Sequence, residues 1–105
     1  MIIFEREDIA ISNPRFENET EEWGKEIIEI SIISMFDGHC THKIICSEYF
    51  QIDMKIDDHG AFSYPCYTAI LRVTEHENYY HLYIETPEMF MNIKCKQINI
   101  VDFDN

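Results

Sequence analysis

The sequence predicts a mainly β, single-domain antiparallel meander over residues 1–105, forming a sandwich or an incomplete barrel with at most one short helix. Three observations lead to this fold class. From Ile27 onward, apolar and polar residues alternate with period two, as in strands that have one face in a core and one in water. Isoleucine, whose β-branched side chain suits a pleated surface, recurs in these runs. Short turn-forming segments such as Asp37-Gly38 and Thr86-Pro87-Glu88 separate them.

The N-terminal quarter carries weaker patterns. Residues 2–4 and 9–11 predict two short strands, and Asn13-Pro14 predicts a turn. Residues 15–26 are strongly charged around the single Trp23. Thr20 is a suitable N-cap for one helical turn, although Gly24 would end that helix at once. Alternatively, Trp23 begins the strand that follows.

Five alternating runs assign the buried faces of the remaining strands. The clearest, residues 50–56, is apolar at every even position and polar at every odd one. The last run changes parity after Cys95, and a shift of one residue turns every later side chain to the other face, so we expect a bulge near Lys96-Gln97. The predicted core positions are Ile28, Ile30 and Ile32; Phe50, Ile52, Met54 and Ile56; Ala69, Leu71 and Val73; Tyr80, Leu82 and Ile84; and Met89, Met91, Ile93, Cys95, Ile98 and Ile100.

The charge of the chain indicates the kind of partner it binds. Twenty Asp and Glu against eight Lys and Arg give a formal net charge of −12. Self-repulsion from this excess works against the compact state, so the excess points to a cationic partner. Nucleic acid is disfavoured as a ligand because contacts to phosphate need lysine and arginine. A hydrophobic fraction of 46% is more than charge-driven disorder allows, so the chain is expected to fold.

The same composition suggests a compartment. The N-terminal segment carries acids where an export signal carries lysines, and no apolar run reaches the roughly eighteen residues of a membrane span. We therefore expect a cytoplasmic protein without membrane contact, monomeric before it meets its partner. In a reducing compartment its four cysteines are expected to be free thiols: Cys40, Cys46, Cys66 and Cys95.

One segment has the residue types of a metal site. His39, Cys40, His42 and Cys46 place four nitrogen or sulfur ligands within eight residues. Zinc ligands usually come as two pairs separated by a longer loop, whereas these four crowd one predicted hairpin. We therefore expect no metal, and keep a zinc-stabilised domain or metal-dependent enzyme as an alternative.

No other motif predicts an enzyme or a cofactor. Cys66 lies near His59 in sequence, but its acidic surroundings disfavour the thiolate that nucleophilic catalysis needs. The three glycines are too few for a phosphate-cradling loop or a dinucleotide fingerprint. Asp102-Phe103-Asp104 lacks the glycine and distal glutamate of a calcium loop. We expect a protein that is not an enzyme and needs no cofactor.

Acidic residues beside exposed aromatics are the remaining candidates for a site. Tyrosine and tryptophan anchor protein interfaces, and nearby carboxylates complement arginine or lysine on a partner. A tyrosine on the second face of a sheet can instead pack against another layer. The predicted partner-binding residues are Glu75, Glu77, Tyr79, Tyr83 and Glu85, and secondly Glu19, Glu21, Glu22 and Trp23.

A resemblance in overall character follows from these residues. The acidic segment Glu17-Asn18-Glu19-Thr20-Glu21-Glu22-Trp23, the Glu75-His76-Glu77 turn and the Tyr79-Tyr80-x-x-Tyr83 strand belong to a short, acidic, mostly β chain without a catalytic motif. Such a chain resembles the cognate immunity proteins of bacterial contact-dependent toxin systems. The resemblance implies a stoichiometric inhibitor that covers the active site of a toxin, often a nuclease with a cationic cleft.

Two further alternatives stay open. A phage-encoded blocker of a nucleic-acid-guided nuclease would use the same mimicry of phosphate charge. A small half-barrel could instead bind an apolar ligand in a cavity lined by methionines and phenylalanines. The methionines that would line it are Met35, Met54, Met89 and Met91.

Overall fold

A computed structural model of the chain describes residues 1–12, 15–18, 26–56 and 66–103. These residues form strands and turns, so the mainly β prediction is confirmed. No helix in these ranges is long and apolar enough to cross a membrane. The seven strands are β1 (Ile2–Ile11), β2 (Arg15–Asn18), β3 (Glu26–Ile33), β4 (Cys40–Ile56), β5 (Cys66–Glu75), β6 (Tyr80–Glu85) and β7 (Met89–Asp102).

Six of the strands close into an antiparallel barrel. Their order around the barrel is β1-β5-β6-β7-β4-β3, and β3 returns to β1 through the pairs Ala10↔Ile33 and Ile11↔Ile32. Strands β5, β6 and β7 form the predicted meander, while β4 lies beside β7 instead of β5. Closure pairs part of the β1 and β3 edges, which an open sheet would leave free.

Strands β1 and β2 share one edge of β3. β1 pairs with the end of β3, and β2 pairs with its beginning, from Arg15↔Glu29 to Asn18↔Glu26. At the junction, the amide of Ser12 donates to the carbonyl of Ser31 at 3.0 Å, and the amide of Ser31 donates to Ser12 Oγ at 3.2 Å. The hydroxyl of Ser12 thus satisfies a β3 donor between the two pairings.

The barrel interior is filled by apolar side chains. Interior-facing residues of a six-stranded barrel alternate with outward-facing ones, which accounts for the period-two runs. The predicted faces of β3, β5, β6 and the first half of β7 are confirmed as core. The largest fully buried side chains are Ile11, Ile28, Ile30, Ile44, Leu71, Leu82, Ile84, Met91, Ile93, Val73, Cys46 and Cys95. Tyr80, Ile98 and Ile100 pack against them.

β7 changes parity after Cys95, but the predicted one-strand bulge near Lys96-Gln97 is wrong, because β4 changes parity at the same place. Lys96 and Gln97 are both exposed, between the buried Cys95 and the core-packed Ile98. Opposite them, Glu48 of β4 has φ 55° and β4 changes parity too, so the β4–β7 register does not slip there. The slip lies further along, between Tyr49 and Gln51.

Two predicted core residues of β4 are instead on the surface. Phe50 and Met54 are 53% and 54% exposed, whereas Ile52 packs against the core as predicted. Phe50 lies at the register slip and is turned outward, and Tyr49 packs against the core in its place. Beyond Ser47, β4 no longer pairs with β3. Among the described residues, only β7 therefore flanks the strand at Met54. The side chain of Ile56 is outside the described part of the chain.

The N-terminal prediction also changes. Residues 2–4 and 9–11 belong to one strand, β1, which is interrupted at Asp8, where φ is 55° and the register with β5 shifts. A left-handed residue of this kind is typical of a bulge. The turn predicted at Asn13-Pro14 and the helical turn predicted near Trp23 lie outside the described residues.

Candidate protein-binding surface

The outer face of β5, β6 and β7 carries two neighbouring pockets. Because inward and outward side chains alternate along a barrel strand, the residues between the buried ones of β5 and β6 must lie on this face. We call the two pockets the turn pocket, formed around the turn between β5 and β6, and the sheet pocket, on the strands themselves. Each has a volume of about 410 Å³.

The turn pocket contains three of the predicted partner-binding residues. Glu75, Glu77 and Tyr79 line it together with His76, Asn78, Tyr80 and Lys96. The amide of His76 donates to the carbonyl of Tyr79 at 2.9 Å, which closes the turn. Tyr79 precedes β6 rather than lying on it, so its ring is positioned by this turn and not by the pleat of the strand.

A row of four rings runs from the turn pocket toward the sheet pocket. The Phe50 ring meets the Tyr79 ring edge-on at 6.0 Å, and the His76 ring stacks on Tyr79 at 4.5 Å with an interplanar angle of 12°. The His81 ring lies 6.4 Å from His76. Phe50, which the sequence assigns to the core, thus contributes its exposed ring to the surface.

Two lysines lie over this ring row. Lys94 Nζ is 5.6 Å from the centre of the Tyr79 ring, and Lys96 Nζ is 5.3 Å from the centre of the Phe50 ring. Both distances lie within the range in which a ring face attracts a cation. Sequence reasoning did not single out these lysines, although their alternation with the buried Ile93 and Cys95 is the signal that turns them outward.

The sheet pocket contains the other two predicted residues of the first cluster. Tyr83 and Glu85 line it with Ile70, Arg72, Thr74, His81 and Asn92. The Tyr83 hydroxyl donates to Glu85 Oε2 at 2.8 Å, and this hydrogen bond raises the pKa of Tyr83. His81 Nε2 lies 2.6 Å from Asn92 Oδ1, which joins β6 to β7.

Contacts around the sheet pocket fix its polar side chains. Arg72 Nε donates to Glu5 Oε2 of β1 at 2.5 Å, and this hydrogen bond raises the pKa of Arg72. Thr74 Oγ1 lies 3.2 Å from His76 Nε2 and so connects the sheet pocket with the turn pocket. The five residues of the first predicted cluster therefore lie on one continuous surface.

The second predicted cluster lies outside the described residues; its members are Glu19, Glu21, Glu22 and Trp23. They precede β3, which is two strands away from β7 in the barrel.

The four residues considered as zinc ligands have separate partners. His39 Nδ1 contacts Asp37, and this contact lowers the pKa of the Asp37 carboxyl. The Cys40 thiol donates to the carbonyl of His42 at 3.2 Å. His42 Nε2 lies 3.5 Å from Asp102 Oδ2, and its ring meets Phe4 edge-on at 5.5 Å. No group of three or more potential metal ligands converges among the described residues.

The described cysteines are free thiols in a structural environment. Cys46 on β4 and Cys95 on β7 are fully buried, and the pKa of Cys46 responds to a hydrogen bond with the Cys95 thiol. This hydrogen bond, with burial, raises the pKa of Cys46, which disfavours the reactive thiolate. The side chain of Cys66, the considered nucleophile, and His59 lie outside the described part of the chain.

The methionines considered as the lining of a ligand cavity do not come together. Met89 and Met91 are buried in the core, whereas Met35, in the turn between β3 and β4, is 46% exposed and Met54 lies on the surface of β4.

Fold and surface define a closed β-barrel with an apolar core and an aromatic, acid-rimmed outer face. A family model whose description reads only "-like" matches residues 6–102, so the chain belongs to that family. No curated protein matches the sequence. The structure is similar to the crystal structure of an uncharacterized protein from Neisseria gonorrhoeae, with a TM-score of 0.69 and 13% sequence identity over 92% of this chain and 96% of the other. At this identity the likeness establishes the fold alone.

Proposed function

We propose that the protein is a non-catalytic acidic inhibitor, an immunity protein that binds a cognate toxin and covers its active site. The proposed partner is a basic protein, a nuclease domain with a cationic cleft. The observation that carries this proposal is the contact row formed by the exposed Phe50 and His76 and the half-buried Tyr79, beside Glu75 and Glu77. In the proposal the protein acts in the cytoplasm, is monomeric before binding and needs no cofactor.

The chemistry of the surface supports protein binding. Aromatic side chains provide large contact areas at low cost in conformational entropy, and they are common anchors where binding energy concentrates. Carboxylates at the rim complement arginine and lysine, and they speed encounter more than they strengthen the final complex. With a formal net charge of −12, the whole chain adds to this attraction.

The rigidity of the scaffold is a second line of support. The outer face belongs to a closed barrel whose interior is packed with apolar side chains. Its polar groups are held by each other, as in the pairs Tyr83–Glu85 and His81–Asn92. A surface that is already ordered loses little entropy on binding, so more of the contact energy is available as affinity.

Association kinetics with the product of the adjacent gene would test the proposal. Electrostatic steering raises association rates by about 10- to 1,000-fold, and the gain falls with ionic strength. We expect a stoichiometric complex that forms faster at low salt, and an association rate about tenfold lower for the double variant Glu75→Lys/Glu77→Lys.

A control variant distinguishes the effect of charge at the turn pocket on the association rate from the effect of the overall net charge. Glu88 is exposed in the turn between β6 and β7, at the other end of β6, so Glu88→Lys changes charge away from the turn pocket. Glu88→Lys should slow association much less than either Glu75→Lys or Glu77→Lys alone. Absence of a complex at both salt concentrations would overturn the function, and an equal effect of Glu88→Lys would overturn the assignment of the main electrostatic contact to the turn pocket.

A further inference from the structure

We propose that the row of Phe50, Tyr79 and His76 is a subsite for an arginine side chain of the partner, and that Lys94 and Lys96 occupy its ring faces until the partner binds. This inference rests on the proposed function, since it names the group that the same surface recognises. The inference rests on two contacts: Lys94 Nζ lies 5.6 Å from the centre of the Tyr79 ring, and Lys96 Nζ lies 5.3 Å from the centre of the Phe50 ring.

Two cations of the chain itself already lie over these ring faces. An ammonium or guanidinium group within about 6 Å of a ring centre is held by the negative face of the ring. Both lysines of the outer face meet this condition, one on Tyr79 and one on Phe50. A cation brought by a partner would find the same attraction at the same rings.

The chemistry of the surroundings favours arginine over lysine as the incoming group. Guanidinium is planar and more weakly hydrated than ammonium, so it can stack on a ring while its edge donates hydrogen bonds. Glu75 and Glu77 line the pocket that contains Tyr79 and supply carboxylate acceptors beside the rings. Bidentate donation to such a carboxylate is available to arginine and not to lysine.

The subsite is ordered before binding. The Tyr79 ring is contacted by His76, Phe50 and Lys94, and the backbone of the turn is closed by the hydrogen bond from His76 to Tyr79. His76 Nε2 is in turn held near Thr74 Oγ1. The partner's arginine therefore has to displace only flexible lysine side chains, whose ammonium groups return to water.

This arrangement makes an unusual prediction about the lysines. If Lys94 competes with the incoming cation, its removal should strengthen binding of arginine ligands. If the surface instead binds an anion, removal of Lys94 should weaken binding of that anion. Lys55→Met is the matched control, because Lys55 is exposed on β4 and lies opposite Phe90 of β7. It is five residues along the strand from Phe50 of the ring row, which is roughly 16 Å at ~3.3 Å per residue.

The test measures binding of three uncharged-ended peptides that differ only in repeated arginine, lysine or glutamate. Calorimetry at low salt gives the affinity, and the NMR shifts of the Tyr79 and His76 ring protons report the location. Wild-type protein should bind the arginine peptide best. Lys94→Met should raise that affinity about two- to fivefold above Lys55→Met, the range of one exposed cation–π contact. Tyr79→Leu should lose the ring-row signal while its urea unfolding stays cooperative.

Two results would overturn the inference. One is an arginine affinity for Lys94→Met equal to or below that of Lys55→Met, and the other is preferred binding of the glutamate peptide. Both are independent of the toxin. If the peptides behave as expected and no toxin complex forms, the proposed function fails alone; if the complex forms and the peptides do not bind at the rings, this inference fails alone.

Discussion

Replacing Ile93 by alanine tests whether the barrel interior is the packed core that stabilises the binding surface. Ile93 is fully buried on β7, opposite Leu82 of β6 and Ile52 of β4. The change removes three carbon groups, worth about 2.4 kcal/mol of transfer free energy at ~0.8 kcal/mol each. The cavity left behind adds to this, so we expect a loss of about 2–5 kcal/mol in the free energy of unfolding.

Ile2→Ala is the matched control for this change. Ile2 also lies in a strand, β1, but is 53% exposed, so the same deletion should cost less than about 1.5 kcal/mol. Urea unfolding followed by circular dichroism measures both variants. With a slope of about 1–3 kcal/mol per molar urea, the midpoint for Ile93→Ala should fall by at least about 0.7 M. Equal midpoints for the two variants would refute the packed-interior description.

The remaining predictions concern individual side chains. Because the folded protein raises the pKa of Tyr83, the stabilisation from its hydroxyl is complete below the ordinary tyrosine pKa and is lost as pH rises through the folded value. A tyrosinate absorbance titration should show this late-ionising group, and Glu85→Gln should lower its pKa; an unchanged curve would contradict the hydrogen bond. Native thiol labelling read by peptide mass spectrometry should modify Cys40, while Cys46 and Cys95 react only after unfolding. Arg72→Met should lower stability only slightly and less at high salt, because its contact with Glu5 is partly solvated and screened; a large, salt-independent loss in urea unfolding would contradict this.

Most of the fold could be predicted because a barrel strand turns alternate side chains inward. Ile28, Leu71 and Leu82 lie on runs whose period is unbroken, Met91 lies before the change of parity in β7, and all four are core. Barrel closure could not be predicted, since in the part of the chain that the structure describes only Ala10↔Ile33 and Ile11↔Ile32 pair across it, and neither pair has a sequence signal.

The failure in β4 has a specific physical reason. Cys46 is buried and Ile52 packs on the core, so both even positions face inward although Glu48 lies between them. Between them β4 changes parity twice, at Glu48 and again at the register slip that exposes Phe50, and Tyr49 faces the core in the interval. Two changes of parity cancel, so the alternation hides them both. Nothing in the sequence indicates that Glu48 has a positive φ.

The candidate site was predicted in part. The five acids and tyrosines of the first cluster could be found because turn chemistry and strand alternation place them outside. Their contacts with Phe50 and Lys96 join residues from β4 and β7 to the turn between β5 and β6, and such proximity depends on strand order. Strand order depends on long-range pairing that no local pattern encodes.

Inhibition of the adjacent gene's product is the measurement that tests the central proposal most directly. Its nuclease activity would be titrated with wild-type protein, with Glu75→Lys/Glu77→Lys and with Glu88→Lys. We predict that wild-type protein and Glu88→Lys abolish activity at equimolar amounts, whereas the double variant needs a large excess. Full activity in the presence of excess wild-type protein would contradict the proposal.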